Sequence, residues 1–381
     1  MDGEGVSVKL QSRRSLGASS SAACVSTGQV GAGCLALERP IIRLADNAPK
    51  FGSCGSGTTG GSGGSRPVVD FTMSTSEQHP TSVSGVNFNQ LFKGIDVVIG
   101  KGTPAAAGVQ LPGAQGSSIQ DTTITVGSGY AGVVGGAGAG GSHEMVTVLG
   151  GRVGMDYTAT LNCPTITGAT LLNQTVAAII YDGLEAASVV GTTIQLAAGA
   201  VALKVTSGSG SKWGEVSIVD STVSAAQGTT APAAFDTNRS LYLRNVYLKG
   251  FDTVCDSAPT TPAFKLNPES GWNLANELSL GRPIPGTAGE SCPAGMVMSI
   301  FINGKQTAQP WLANISTTGV LAPPRTYGTQ HSWDEPSFPS MDMPGVVDVR
   351  TMGAVGNGLH DDTAVIQKVR RCLCLVFQLP S

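Results

Sequence analysis

Short runs of alternating apolar residues recur along most of this chain, and they constrain its fold more than any other feature. Successive runs are spaced by roughly 22 to 27 residues, and each has the length of one strand. A fixed period of this length is typical of solenoids, in which each repeat stacks on the one before. The runs are 95–99, 122–126, 145–149, 169–172, 192–196, 216–219 and 241–243.

The segments between the runs are rich in glycine, serine, asparagine and aspartate, as at 127–129 and 150–151. Almost no stretch has apolar residues at the i, i+3, i+4 spacing of a helix. Parallel strands need crossover connections, and stacked coils supply them through further short strands without helices. The pattern therefore predicts an all-β fold, a parallel β-helix over residues 41–260.

Composition excludes several other classes of protein. The chain of 381 residues contains 52 glycines and only 13% charged residues, which argues against helical bundles and coiled coils. Its net charge is -3, so it has no broad basic face for phosphates, and we expect neither nucleic acid nor membrane as a partner. No apolar run approaches the roughly 18 residues of a membrane span, and no signal peptide is visible.

The rest of the chain divides by composition. Residues 1–40 are expected to be a poorly ordered N-terminal segment, and residues 261–322 to form edge strands or a hairpin packed on the solenoid, with Asn303 and Gly304 as a turn pair. Residues 323–345 are proline-rich and are interpreted as an extended linker. A new pattern begins at residue 346.

The stretch 346–369, VVDVRTMGAVGNGLHDDTAVIQKV, resembles the opening signature of the pectin-lyase-like right-handed parallel β-helix superfamily, in particular its rhamnogalacturonase and epimerase-like pectate lyase domain. The resemblance implies a strand, a glycine turn and a short helix that caps a solenoid. The residues suit that role, because Asp361 or Asp362 can cap a helix that begins at Thr363. Residues 346–381 would then be the N-terminal cap of a second, truncated β-helix.

A cap that follows a complete first solenoid resembles the tandem β-helices of family 55 glycoside hydrolases, the β-1,3-glucanases. The stretches VNFNQLFKGIDVVIGKGTPAAAGVQL and GAQGSSIQDTTITV are similar to the early coils of their first helix. The resemblance implies an extracellular, monomeric polysaccharide-active protein that hydrolyses glycosidic bonds by carboxylate acid/base chemistry. The sugar site would lie mainly on the second helix, so the chain is expected to be incomplete. The alternative is a non-enzymatic, glycan-binding or wall-associated scaffold.

Candidate catalytic carboxylates are Asp156, Asp182 and Glu185. Glycoside hydrolysis uses two carboxyl groups, about 5 to 5.5 Å apart for retention and about 6.5 to 9.5 Å apart for inversion. Asp156 and Asp182 lie about one repeat apart, and residues one coil apart stack at about 4.8 Å. The alternative is that all three are solvated turn residues, as we expect for Asp96 and Asp121.

We expect no cofactor and no metal. The eight cysteines are scattered without a CxxC pair. Residues 127–132 match G-x-G-x-x-G, but the glycine-rich sequence after them cannot sustain the helix that dinucleotide binding requires. His79 and His143 are isolated, and the large aromatic residues are expected to pack rather than stack on sugars: Trp213, Trp272, Trp311 and Trp333.

Overall fold

The computed structural model describes residues 6–7, 39–52, 65–72, 87–138, 140–158, 165–183, 186–205, 215–237, 239–255, 263–281, 300–332, 347–357 and 359–374. The chain divides into two compact units, Met1–Ser332 and Trp333–Ser381. The described part is nearly all β, with 50% of it in strands and 6% in helices. No described helix is long and apolar enough to cross a membrane.

The strands are short, and most carry alternating buried and partly exposed residues, as the sequence pattern predicts. In chain order the described strands are β1 (Val6–Ser7), β2 (Ile41–Leu44), β3 (Arg66–Asp70), β4 (Leu91–Lys93), β5 (Asp96–Val98), β6 (Ala106–Gln110), β7 (Ser118–Gly127), β8 (Ala131–Val134), β9 (Ser142–Gly150), β10 (Val153–Tyr157), β11 (Thr165–Thr167), β12 (Thr170–Leu172), β13 (Ala177–Tyr181), β14 (Ala187–Val190), β15 (Thr193–Gln195), β16 (Val201–Val205), β17 (Val216–Ser224), β18 (Ala231–Asp236), β19 (Leu241–Lys249), β20 (Phe251–Cys255), β21 (Trp272–Leu280), β22 (Phe301–Ile302), β23 (Lys305–Gln306) and β24 (Trp311–Val320).

Most of these strands form two sheets, between which the chain alternates. Sheet A has 14 strands, in the order β1-β2-β5-β7-β9-β11-β14-β17-β19-β21-β24, with β4, β12 and β15 as further segments. Sheet B has eight, in the order β20-β18-β16-β13-β10-β8-β6-β3. The chain therefore winds as a parallel β-solenoid of about six turns, which confirms the predicted fold class. All seven runs recognised in the sequence lie in sheet A.

The interior between the sheets is narrow, which explains the many small residues. A Cβ atom on Gly108 would lie 2.5 Å from Cγ2 of Ile124, and one on Gly132 would lie 2.6 Å from Cγ1 of Val148. Large side chains of sheet A thus fill the space opposite a row of small residues in sheet B. The row consists of Gly108, Gly132, Gly154, Ala178 and Ala202.

Each coil bends within sheet A at one residue in the left-handed backbone region, with φ between 47° and 67°. The bends stack: Gln120 pairs with Glu144 and Thr122 with Val146, which sets Asp121 beside Met145. The bend divides the outer face of sheet A into two facets. We call these residues the corner row: Gly94, Asp121, Met145, Gly168, Gly191, Asp220 and Asn245.

The parallel stacking ends after β19 and β20. β21 pairs antiparallel with β19, and β24 pairs antiparallel with β21. β22 and β23 form a hairpin whose turn is Asn303 and Gly304, both with positive φ, as the sequence predicts. The domain boundaries proposed from composition remain predictions.

The second unit, considered by itself, contains a 3-10 helix (Val349–Met352) and α1 (Thr363–Cys374). The predicted helix start is confirmed, because the Asp361 carboxylate accepts a hydrogen bond of 3.0 Å from the N–H of Thr363. The Asp362 carboxylate accepts instead from the N–H groups of Val355 and Gly356. The strand implied by the resemblance is replaced around Val349 by the 3-10 helix, which Asp348 caps. The second β-helix itself remains a prediction.

Candidate functional site

Asp156, the first candidate carboxylate, lies in β10 and is fully buried. Its Oδ1 accepts hydrogen bonds from the backbone N–H and the hydroxyl of Thr158, at 2.9 and 2.7 Å. Its Oδ2 accepts from the hydroxyl of Tyr130. Both oxygens accept hydrogen bonds, so this carboxylate stabilises the connection after β10.

Asp182, the second candidate, follows β13 and is not level with Asp156. Asp156 pairs with Ile180, and Asp182 lies two positions further along the strand. Oδ1 of Asp182 is 3.4 Å from Nη2 of Arg239. The other terminal nitrogen, Nη1 of Arg239, donates to the carbonyl oxygen of Gly183. Burial lowers the pKa of Arg239, while Tyr181 and Asp182 oppose that shift. Glu185, the third candidate, lies outside the described residues. The catalytic role of all three stays a prediction.

Asp96 begins β5, Asp121 lies at the bend within β7, and one cation joins the two carboxylates. The Arg39 guanidinium is 3.7 Å from Oδ1 of Asp96 and forms an ion pair with Asp121. Asp96 also accepts a hydrogen bond from the N–H of Thr123. These contacts give both residues a structural role.

A continuous row of hydroxyl side chains runs across the outer face of sheet A before the corner row. It occupies the same register on seven neighbouring strands, and its members alternate along the strands with core residues such as Ile119, Val189 and Leu243. Because neighbouring strands are about 4.8 Å apart, the hydroxyls form a regular line along the solenoid. This hydroxyl column consists of Ser118, Ser142, Thr165, Ser188, Ser217, Tyr242 and Ser279.

The hydroxyl column leads into a cleft of about 300 Å³ at the end where β17, β19 and β21 pair. Ser217, Tyr242 and Ser279 belong to both the column and the cleft, and Glu215 adds an exposed carboxylate. The hydroxyl of Tyr242 donates to Oε1 of Glu277, at 3.3 Å. The cleft thus combines neutral donors and acceptors with the one carboxylate of Glu215.

Residues 325–332, which we call the strap, cross the corner row beside this column. The carbonyl oxygen of Gly328 lies over Gly168, and that of Tyr327 lies over Gly191. The C-terminal end of the strap is held by two contacts, because Ser332 donates to Sδ of Met145 and His331 contacts Asp220. The strap therefore borders the facet that carries the hydroxyl column.

Aromatic residues pack where the strap meets the last coils. The Tyr247 ring is 5.8 Å from the Tyr327 ring and 6.2 Å from the Trp272 ring, and the Lys249 amine lies over Trp272. Burial, followed by the effect of Tyr247, raises the pKa of Tyr327 to about 12, so this tyrosine stays neutral. Trp272 and Trp311 pack against neighbouring rings, while Trp213 and Trp333 lie outside the described residues.

Two other sequence motifs are resolved by the fold. Residues 127–132 lead into β8 rather than a helix, so no helix N-terminus is present there to hold a pyrophosphate. His143 is fully buried in the solenoid, and His79 lies outside the described residues. The described residues include no group of three or more His, Cys, Asp or Glu side chains that could hold a metal ion.

Sequence reasoning missed the hydroxyl column because it searched for carboxylates. The sequence did contain a sign of the column. Each run from 122–126 to 241–243 either includes a hydroxyl residue of the column or has one within the four positions before it. The offset from the start of the run differs among these hydroxyls, so the pairing of the strands, and not the runs alone, brings them into one line. The strap gave no comparable signal, because its contacts join residues more than 100 positions apart.

No protein-family model matches this chain, and no curated protein matches its sequence. The arrangement of sheet A is therefore the basis for a functional assignment.

Proposed function

We propose that this chain binds a polysaccharide along the outer face of sheet A, with the hydroxyl column as the contact row. The observation that carries the proposal is the continuity of the six hydroxyl side chains from Ser142 to Ser279 with the cleft at Tyr242. Ser118, at the far end of the column, is buried and donates to the carbonyl oxygen of Ser142. Hydroxyl groups both donate and accept hydrogen bonds, as sugar hydroxyls do. The strands repeat about every 4.8 Å along the column, as sugar residues repeat along a glycan, so we assign one sugar residue to each coil.

The charges of the cleft favour a neutral glycan. Glu215 is the only charged residue among the described residues that line it. A carboxylate accepts hydrogen bonds from neighbouring sugar hydroxyls but repels the carboxylates of polyuronic acids. The sequence resemblance to β-1,3-glucanases supports a β-glucan, and such a ligand would place the protein outside the cell.

A second candidate function is hydrolysis of the same glycan. It is favoured by the position of Tyr242, which lines the cleft beside Glu215 and hydrogen-bonds to Glu277. Acid/base hydrolysis needs a carboxyl group beside the scissile bond, and in this proposal Glu215 at the cleft is the candidate acid or base. Glu277 is level with Val219, four positions along the strand direction from Glu215, so its part is to accept the hydrogen bond of the Tyr242 hydroxyl.

Binding is tested by affinity electrophoresis in gels that contain laminarin, polygalacturonan or rhamnogalacturonan. We expect retardation by laminarin, a loss of at least tenfold in affinity for Tyr242→Ala, and a loss of about fivefold for Ser217→Ala, because one hydrogen bond contributes about 1 kcal/mol. Thr222→Ala is the matched control, since Thr222 lies on the same strand beyond the corner row. Absence of retardation by all three glycans would contradict the proposal.

Hydrolysis is tested with the same glycans by measuring released reducing sugar. Release that is abolished by Glu215→Gln, with laminarin binding retained, would support the enzymatic candidate. Binding without release by the native protein would leave a non-enzymatic glycan-binding scaffold.

A further inference from the structure

The strap covers four successive residues of the corner row, from Met145 to Asp220. Each corner residue that the strap contacts lies three positions after a member of the column. Because a strand advances about 3.3 Å per residue, the two rows are at most about 10 Å apart. A single extended glycan chain would lie over the side chains between the two rows, which are Glu144, Thr167, Val190 and Val219. The paired positions are Ser142 and Met145, Thr165 and Gly168, Ser188 and Gly191, and Ser217 and Asp220.

The strap packs closely against the corner row. A Cβ atom on Gly168 would lie 2.7 Å from the carbonyl oxygen of Gly328, and one on Gly191 would clash with the carbonyl oxygen of Tyr327. Gly94 has the same left-handed backbone in the corner row, with φ of 67°, but its Cβ would meet nothing within 4 Å. Glycine at 168 and 191 therefore allows both the left-handed bend and the close approach of the strap. The strap is thus packed tightly along one side of this facet.

His331 is oriented by Asp220 within this side. Nε2 of His331 is 2.7 Å from Oδ2 of Asp220, while Asn245 donates to Oδ1 of the same carboxylate at 2.9 Å. A carboxylate accepts hydrogen bonds, so Nε2 of His331 donates to Asp220, and Nδ1 is the ring nitrogen that is left for a ligand. No described residue is a hydrogen-bond partner of Nδ1, and the side chain is 33% exposed.

We propose that the strap is the side wall of the glycan-binding facet and that His331 forms a hydrogen bond with a sugar hydroxyl through Nδ1. Asp220 is the positioning residue that fixes the ring for this contact. The inference rests on the proposed function and adds a second contact row to it. His331 thus comes from a segment that lies about 90 or more residues further along the chain than most residues of the hydroxyl column.

The contact is tested with His331→Gln in laminarin affinity electrophoresis. The glutamine amide can still donate to Asp220 but has no acceptor at the position of Nδ1, so the strap stays anchored. We expect laminarin affinity to fall about fivefold, while tryptic cleavage after the exposed Arg325, at the start of the strap, keeps its native rate. Native affinity in His331→Gln would overturn the inference.

The positioning role of Asp220 is tested by a double-mutant cycle. Asp220→Asn is expected to weaken laminarin binding in the native background and to have no further effect in the His331→Gln background. Equal losses in both backgrounds would show that Asp220 acts only on the fold, and would overturn this part of the inference.

The wall is tested with Gly191→Ala, which displaces the strap, against Gly94→Ala, which introduces the same backbone strain without a strap above it. We expect faster cleavage after Arg325 and weaker laminarin binding for Gly191→Ala alone. Tighter binding by Gly191→Ala would show that the strap covers the binding site as a lid, and would overturn its role as a side wall.

If the native protein binds no glycan, the proposed function fails and this inference with it. Native binding that is insensitive to both strap variants refutes the wall alone.

Discussion

Inside the solenoid, Nδ1 of His143 lies 2.5 Å from the hydroxyl oxygen of Tyr157, and the two rings stack with centroids 5.5 Å apart. Nε2 of His143 has no hydrogen-bond partner in the described part of the chain. Burial lowers the pKa of His143 from 6.5 to about 4 and raises that of Tyr157. Both side chains are therefore neutral in the folded protein at neutral pH, and protonation of His143 opposes folding.

The folded solenoid is predicted to lose stability as the pH falls from 6.5 to about 4. In this window the unfolded chain binds a proton at His143 that the folded chain does not bind, so the free energy of unfolding falls with pH. The shift corresponds to about 3 kcal/mol. Urea unfolding at several pH values measures it, and His143→Gln, which cannot titrate but can still bond to Tyr157, should flatten that part of the profile. Identical profiles for the two proteins would contradict the assignment.

The narrow interior predicts that an added methyl group destabilises the fold. Gly132→Ala brings Cβ to 2.6 Å from Cγ1 of Val148, and we expect a loss of about 1 to 3 kcal/mol in the free energy of unfolding. Val148→Ala should recover part of this loss in the double variant, because it removes the opposing group. Gly52→Ala, with no atom within 4 Å of the new Cβ, is the control. Equal effects of Gly132→Ala and Gly52→Ala on the urea midpoint would argue against this packing.

The buried pair of Asp182 and Arg239 is predicted to be structural. Arg239→Ala leaves a buried carboxylate without its cation, and we expect a loss of about 3 to 5 kcal/mol in the free energy of unfolding. Lys204→Ala, which breaks the exposed pair with Asp236, should change it by about 1 kcal/mol or less. Thermal unfolding followed by circular dichroism distinguishes the two. Similar, small losses would place Asp182 in contact with solvent and restore it as a catalytic candidate.

The period of the apolar runs was sufficient to predict the solenoid, because strand length and coil length follow directly from hydrophobic alternation. The bends were harder to predict, since Met145 and Asp121 adopt a left-handed backbone that glycine usually occupies. The left-handed conformations of Met145 and Asp121 follow from the register in which neighbouring coils pair. That register cannot be read from one sequence. Asp156 and Asp182 met the spacing criterion for a catalytic pair, yet their burial depends on Tyr130 and Arg239, which lie far from them in the chain.

The central claim is that a neutral glycan lies along the hydroxyl column of sheet A. The most direct test is a crystal structure of the native protein with a laminarin-derived oligosaccharide. The account predicts one sugar ring per coil above Ser188, Ser217 and Tyr242, with the nearest hydroxyl in contact with His331. Sugar density on sheet B, or on the far facet beside Thr193 and Thr222, would contradict it.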